Sequence, residues 1–245
     1  MVDYSKPRTL SMTLALVSLL GMFASTSCST SAPSAPATTA APAAAKPSSA
    51  SALTSDGLQL VTTTAFARVY VRPGATLKPY TKFALLDCFV SFAPNWRQDM
   101  ESNFNIPITI DQMKLTETQL AADFKTVFST QLEQGGFQMV STAGPGVLVL
   151  RPAIINLYIQ APQNMADPSE ETFGQTAGQL TLYLELYDSV TNQLLARVID
   201  PEVASPADGM FMWQTRAGNI TAANEVMTKW ADTLRHYMEA AHGAQ

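Results

Sequence analysis

The chain has 245 residues, of which 47% are hydrophobic and only 14% are charged. This composition excludes a charged, intrinsically disordered polymer. The net charge is -5 and no basic cluster follows Arg8, which argues against a nucleic-acid-binding surface. Two cysteines are too few for a scaffold held together by several disulfide bonds.

Residues 1–27 have the three parts of a secretory signal peptide. Lys6 and Arg8 lie in a short polar start, an apolar run extends from Leu10 to Phe23, and small residues follow. The apolar run is shorter than the ~20 apolar residues that a membrane-spanning helix needs. We therefore expect a signal peptide rather than a permanent transmembrane helix.

Cys28 follows this segment and resembles the lipobox cysteine of bacterial lipoproteins, which becomes the first mature residue and is acylated. Ser27 fits the lipobox pattern, whereas Ser25 occupies the position where lipoboxes most often have Leu. Two interpretations remain open: acylation of Cys28, for example with palmitate, and ordinary cleavage that leaves a soluble protein with a free thiol. We expect acylation, and Ser29 then favours the outer membrane.

Residues 28–55 are expected to form a disordered tether. After the cysteine they are Ser, Ala, Thr and Pro apart from Lys46 and Leu53, so they cannot bury enough apolar surface to fold. Such a segment spans roughly 30 Å as a coil and at most about 80 Å when extended. Residues 56–245 remain for one globular domain with a core of its own.

Two segments have the apolar periodicity of amphipathic helices. Thr116 and Gln119 form a capping-box pattern at the start of the first helix, and Gly135 is expected to end it. The second helix is expected from about Thr221 to Ala241. Their apolar stripes contain Leu120, Phe124, Val127, Phe128 and Leu132 in the first helix, and Val226, Met227, Trp230, Leu234, Tyr237 and Met238 in the second.

The clearest strand extends from Leu180 to Leu186, where leucines alternate with other residues. A turn at 188–193 leads to a second strand, Leu194 to Ile199, which predicts a hairpin. Within it we expect Arg197 to pair with Glu185. Further β-rich runs are 69–71, 83–92, 137–140 and 147–159.

The order of elements is strands, helix, several consecutive strands and helix, which is typical of an α+β fold. We predict a single domain in which a largely antiparallel sheet carries two amphipathic helices on one face. Pro152, within the run 147–159, indicates a bulge or an edge strand because proline cannot donate a ladder hydrogen bond.

Several short sequence segments of this domain occur in the same order in a known family. They are Gly57-Leu58, Val69-Tyr70-Val71-Arg72-Pro73-Gly74-Ala75, Leu150-Arg151-Pro152-Ala153-Ile154, Asp188-Ser189-Val190-Thr191, Leu195-Ala196-Arg197 and Trp230-Ala231. Together they resemble a family of Gram-negative envelope proteins known only as a domain of unknown function, DUF3313. The resemblance implies a secreted, often lipid-anchored bacterial domain, and it brings no activity, cofactor or catalytic residue.

The chemistry-bearing residues form no recognisable catalytic pattern. Cys88 lies in an apolar run, and the only histidines, His236 and His242, lie near the chain end, so a buried structural thiol is favoured over a nucleophile. No Cys or His pair has zinc-ligand spacing. We therefore expect no enzyme, no cofactor and no metal site.

The long connections 93–115, 161–178 and 201–219 are expected to be irregular, and such loops often bind partners. They contain residue types enriched at interfaces, which makes a candidate partner-binding edge. In the alternative interpretation these side chains fold back and close one end of the core. The candidates are Trp96, Arg97, Met210, Phe211, Met212 and Trp213.

The sequence thus predicts a non-enzymatic envelope lipoprotein, anchored through Cys28, whose periplasmic domain binds another envelope protein or a cell-wall component. The alternative is a soluble periplasmic protein that binds a small ligand in an apolar pocket between the helices and the sheet.

Overall fold

A computed structural model describes residues 53–104, 107–159, 172–174, 177–204, 212–214 and 216–243. All of them belong to the unit Ser48–Gln245 of the chain. The predicted signal peptide, Cys28 and nearly all of the tether lie outside the described residues, so those boundaries stay predictions. None of the helices in the described ranges has the length and hydropathy needed to span a bilayer.

The described residues form ten strands and three helices. In chain order they are β1 (Gln59–Val61), β2 (Arg68–Val71), β3 (Lys82–Leu85), β4 (Phe89–Phe92), α1 (Trp96–Phe104), α2 (Ile110–Gln134), β5 (Gln138–Met139), β6 (Val147–Ile159), β7 (Thr172–Gly174), β8 (Gly178–Asp188), β9 (Leu194–Ala204), β10 (Met212–Gln214) and α3 (Arg216–Gly243).

Eight of the strands form one mixed sheet in the order β1-β2-β9-β8-β6-β3-β5, and β4 pairs with β6 beyond the end of β3. The strands from β1 to β6 in this order pair antiparallel, whereas β3 and β4 pair parallel with β6, and β5 pairs parallel with β3. β7 and β10 form a separate two-stranded ribbon. The predicted α+β class is confirmed.

The helices cover one face of the sheet. Leu180, Leu182, Leu184 and Leu186 of β8 are buried on that face, as their alternation predicts. The helices meet this face with apolar side chains that are also buried, and the rings of Phe124 and Phe128 stack on each other. These side chains are Leu120, Phe124, Phe128 and Leu132 of α2 and Val226, Met227, Trp230, Leu234 and Met238 of α3.

Helix α2 begins earlier than predicted. Its N-cap is Thr109, which forms the capping box with Gln112, whereas Thr116 lies inside the helix and donates its hydroxyl to the Gln112 carbonyl at 3.0 Å. The pattern Thr-x-x-Gln occurs at both places, so the pattern alone does not identify the start. The predicted end is confirmed, because Gly135 caps the helix and Gly136 has a φ of +81°.

The edge-strand interpretation of Pro152 is wrong, because β6 is a central strand. β3 pairs with β6 as far as Leu150, and β4 pairs with β6 from Ala153 onward. Pro152 therefore lies where one neighbour replaces the other, which is a place where a missing N–H costs no ladder bond. The bulge lies further along, at Asn156, which has a φ of +53° between the shifted pairings of Ile155 and Tyr158.

The Asp200 side chain links β9 to α3 through a hydrogen bond. Its carboxylate is 4% exposed and accepts hydrogen bonds from the Trp230 indole at 2.8 Å and from the Ala67 backbone N–H at 2.6 Å. A buried carboxylate requires such partners, because burying it unpaired is costly. The bond to Trp230 therefore fixes the position of α3 on the sheet.

The opposite face of the sheet carries a polar cluster around Glu185, which is 6% exposed. Arg197 donates to its Oε1 at 3.0 and 2.9 Å, which confirms the predicted pair. Tyr183 and Tyr187 donate their hydroxyls at 2.9 and 2.8 Å. Burial alone would raise the pKa of the Glu185 carboxyl, but the hydrogen bonds from Tyr187, Arg197 and Tyr183 outweigh burial and lower it.

We predict that Asp200→Ala lowers the free energy of unfolding by about 2 to 3 kcal/mol, because it leaves the buried Trp230 N–H without an acceptor. Urea unfolding measures this difference. Asp87→Ala removes an exposed carboxylate that pairs with Lys125 at 3.3 Å, and this control should change stability by less than about 1 kcal/mol. Equal effects of the two substitutions would show that Asp200 does not hold α3 in place.

We predict that Glu185→Gln reduces the pH dependence of stability on the acid side. Since folding lowers the pKa of Glu185, its carboxylate stabilises the folded state above the unfolded-state pKa, and this contribution disappears as the pH falls through the folded-state pKa. Urea midpoints between neutral pH and about pH 3 should therefore fall less in Glu185→Gln than in the wild type. Glu202→Gln, in the exposed pair with Lys229, serves as the control, and parallel curves for all three proteins would contradict the prediction.

Candidate functional site

An apolar cleft lies at the end of the sheet where β6 and β9 finish, bordered by the first halves of α2 and α3. Its volume is about 360 Å³. Its walls are apolar side chains from six elements, α1, α2, α3, β6, β8 and β9, and from the segment before α2. They include Trp96, Ile108, Leu120, Leu157, Leu180 and Ala204, all of which are buried.

Two backbone features shape this end of the sheet. The bulge at Asn156 bends the end of β6, since an extra residue in one strand turns that strand away from regular pairing. Gly178 begins β8 so close to β6 that a Cβ atom there would lie 2.1 Å from the Tyr158 carbonyl oxygen. Glycine is therefore required at this position, and the close approach places Tyr158 and Ile159 in the wall of the cleft.

Trp96, a predicted partner-binding residue, forms part of this wall. It is 2% exposed, its indole N–H donates to the Ile159 carbonyl at 2.8 Å, and its ring stacks on Phe92 with 4.2 Å between centroids. It also packs with Met100 and Ile108 in a small second core. Trp96 therefore closes one end of the core, as in the alternative interpretation, and offers the cleft an apolar ring.

Among the other predicted site residues only Arg97 has a described side chain, and it does not line the cleft. Arg97 lies on the exposed side of α1, where it pairs with Glu101 at 2.9 Å. Met212 and Trp213 belong to β10, of which only the backbone is described, and Met210 and Phe211 lie outside the described residues. The partner-binding edge that these residues were expected to form stays a prediction.

Polar groups border the cleft along one line of α2. Gln112, Thr116, Gln119 and Asp123 follow one another at spacings of three and four residues, so they share one side of the helix. Gln119 donates its side-chain amide to Asp123 at 3.0 Å, and the Gln112 side-chain oxygen accepts from the Thr109 N–H at 2.8 Å. Asp123 is the one charged side chain among the described residues that line the cleft.

The titratable groups near the cleft are not arranged as an acid–base pair in the described part of the chain. Burial, and after it the Asp99 carboxylate, raises the pKa of the Tyr158 phenol. Cys88 is buried in the main core, and burial raises its pKa to about 12, so the thiol is protonated at neutral pH. Within the described ranges no three His, Cys, Asp or Glu side chains lie close enough to hold a metal ion. The arrangement suits non-covalent binding.

The prediction that residues 93–115 are irregular is wrong, because they contain α1 and the start of α2, from which Gln112, Met113 and Leu115 line the cleft. The sequence does contain a signal for the earlier start of α2. Thr109 and Gln112 have capping-box spacing, and Ile108 and Met113 flank them at the positions of a hydrophobic staple. Both apolar residues border the cleft. That signal would have extended the helix and its polar line to the start of α2.

No curated protein matches the chain. A variant of PelC from Paraburkholderia phytofirmans, solved as a dodecamer, is 13% identical, with 68% of this chain and 95% of that chain covered and a TM-score of 0.35. A neuraminyllactose-binding hemagglutinin homolog from Helicobacter pylori is 12% identical, with 70% and 96% covered and a TM-score of 0.30. Similarities with such low TM-scores carry no argument about this chain.

A family model matches most of the chain. The family is described as "Protein of unknown function (DUF3313)", and the match covers residues 49–234. This range contains every described strand, α1, α2 and the larger part of α3. The chain therefore belongs to the DUF3313 family.

Proposed function

We propose that this protein is a non-enzymatic envelope lipoprotein, anchored through Cys28, whose folded domain binds another envelope component in the cleft. The cleft itself is the observation that supports the proposal. Its volume of about 360 Å³ falls in the range of roughly 300 to 1,000 Å³ that ligand sites occupy. Ligand sites are also mostly apolar with a few placed polar groups, as this cleft is.

The cleft walls are held in place without a ligand. Trp96 is fixed by its bond to the Ile159 carbonyl, and the start of α2 is fixed by the Thr109 capping box. Gly178 holds β6 and β8 together at the same end. A ligand that enters such a site loses little affinity to the ordering of the protein.

The start of the domain lies at the other end of β9. Asp56 pairs with Arg197 at 2.8 Å, and its carbonyl accepts from Arg72 at 3.0 Å. Ala204, at the cleft, is seven positions after Arg197, which corresponds to about 23 Å along a strand. A tether that enters at Asp56 would therefore attach away from the cleft and leave it open.

The same cleft suits the alternative function, a soluble periplasmic carrier of a small ligand. The two functions differ in the anchor and not in the binding site. A lipid at Cys28 would keep the protein on a membrane, whereas ordinary cleavage would release it. The chemical state of the mature N-terminus therefore distinguishes them.

We predict that Ala223→Trp abolishes binding, because Ala223 lines the cleft from α3 and an indole there would fill it. The protein is purified from membranes of its host and analysed by native mass spectrometry for a retained component. Ala240→Trp places the same side chain on an exposed position of α3 and is the matched control. Retention should fall at least about tenfold in Ala223→Trp alone, which corresponds to 1.4 kcal/mol. Equal retention by both variants would contradict a role for the cleft.

We predict that the mature protein begins with an acylated Cys28 and fractionates with membranes. Intact mass and the N-terminal peptide identify the modification, and Cys28→Ser should move the protein to the soluble fraction because a lipid supplies the membrane affinity. An unmodified N-terminus in the soluble fraction would refute the anchor and favour the small-ligand carrier.

A further inference from the structure

The polar and apolar parts of the cleft are separated. The buried walls contributed by Leu120, Leu157 and Leu180 carry no polar side-chain atom, whereas α2 brings its amides and a hydroxyl to one border. A ligand that satisfies both parts needs an apolar body and a polar end. A ligand that is polar throughout would leave its own groups unpaired against the leucines.

The mouth of the cleft is apolar as well. Leu115 of α2 and Ile220 of α3 line the cleft and are 47% and 37% exposed. Exposed apolar side chains on both helices beside an apolar cavity form a continuous surface of the kind that marks a binding groove. An alkyl chain can contact these two side chains outside and the leucines inside.

The polar border selects against negative charge. Its groups are neutral amides and hydroxyls except for Asp123, and no Lys, Arg or His is among the described lining residues. An anionic head group would find no cation among the described lining residues and would be repelled by Asp123. Asp123 would attract a cationic head group about as strongly as it repels an anionic one, and at a partly exposed carboxylate this attraction does not outweigh the hydration that an ammonium loses beside apolar walls.

Neutral hydrogen-bonding capacity remains at this border. The Gln119 amide nitrogen donates to Asp123, while its side-chain oxygen accepts no hydrogen bond from another described residue. This oxygen can accept a hydrogen bond from a hydroxyl or an amide N–H.

We propose that the cleft binds a single-chain amphiphile, whose alkyl chain lies against Leu157 and Leu180 and whose uncharged hydroxyl or amide head lies at Gln119. This inference rests on the proposed function, since it names the class of envelope component that the same cleft takes. It specifies an uncharged head group, which the proposed function does not.

Three probes with one chain length test it by calorimetry with the full mature protein: decanol below its solubility limit, and decanoate and decylammonium below their micelle concentrations. Decanol should bind most tightly, and decanoate should bind about tenfold more weakly, which corresponds to 1.4 kcal/mol. Asp123→Asn should bring the two affinities within about threefold of each other, since it removes the repulsion. Asp111→Asn, an exposed position of the same helix outside the cleft, should keep the tenfold ratio.

The outcomes separate the two proposals. Equal binding of decanol and decanoate, or tighter binding of decylammonium than of decanol, would overturn the uncharged head group. No binding of any probe, with a retained component still lost in Ala223→Trp, would overturn the amphiphile and leave the cleft as a site. No probe binding and no retained component would overturn both.

Discussion

The hydrogen bond between the Trp230 indole and the Asp200 carboxylate determines where α3 lies, and the cleft depends on the position of that helix. Asp200 is four positions before Ala204, which lines the cleft from β9. Trp230 is seven positions, about two helical turns, after Ala223, which lines it from α3. One buried polar contact therefore sets the spacing between two walls of the site.

Much of the fold follows from periodicity and turn chemistry. The alternation of leucines in β8, the turn that begins at Asp188 and the pairing of Arg197 with Glu185 are local patterns, and the structure has them as the sequence indicates. The buried apolar stripe of α2 is equally predictable from the sequence. These features are predictable because each depends on residues that are close in sequence or directly opposite in a hairpin.

The cleft is not predictable in this way, because distant segments build it. Trp96 and Gly178 are far apart in the chain and meet only through the pairing of β6 with β8 and the bulge at Asn156. An exposed tryptophan and a buried one have the same sequence signal, so the sequence leaves open whether Trp96 docks a partner or closes an end of the core. The start of α2 was ambiguous for a related reason, since two Thr-x-x-Gln patterns compete and tertiary contacts of Ile108 decide between them.

The structure has a second apolar cavity, of about 210 Å³, near the opposite end of α3, where Val61, Phe66, Leu195 and Tyr237 are among its lining residues. It provides a rival location for any apolar ligand. The most direct test of the account is therefore a crystal structure of the protein with decanol. We predict decanol in the larger cleft, with its chain against Leu157 and Leu180 and its hydroxyl at Gln119. Decanol in the smaller cavity, with the larger cleft empty, would contradict it.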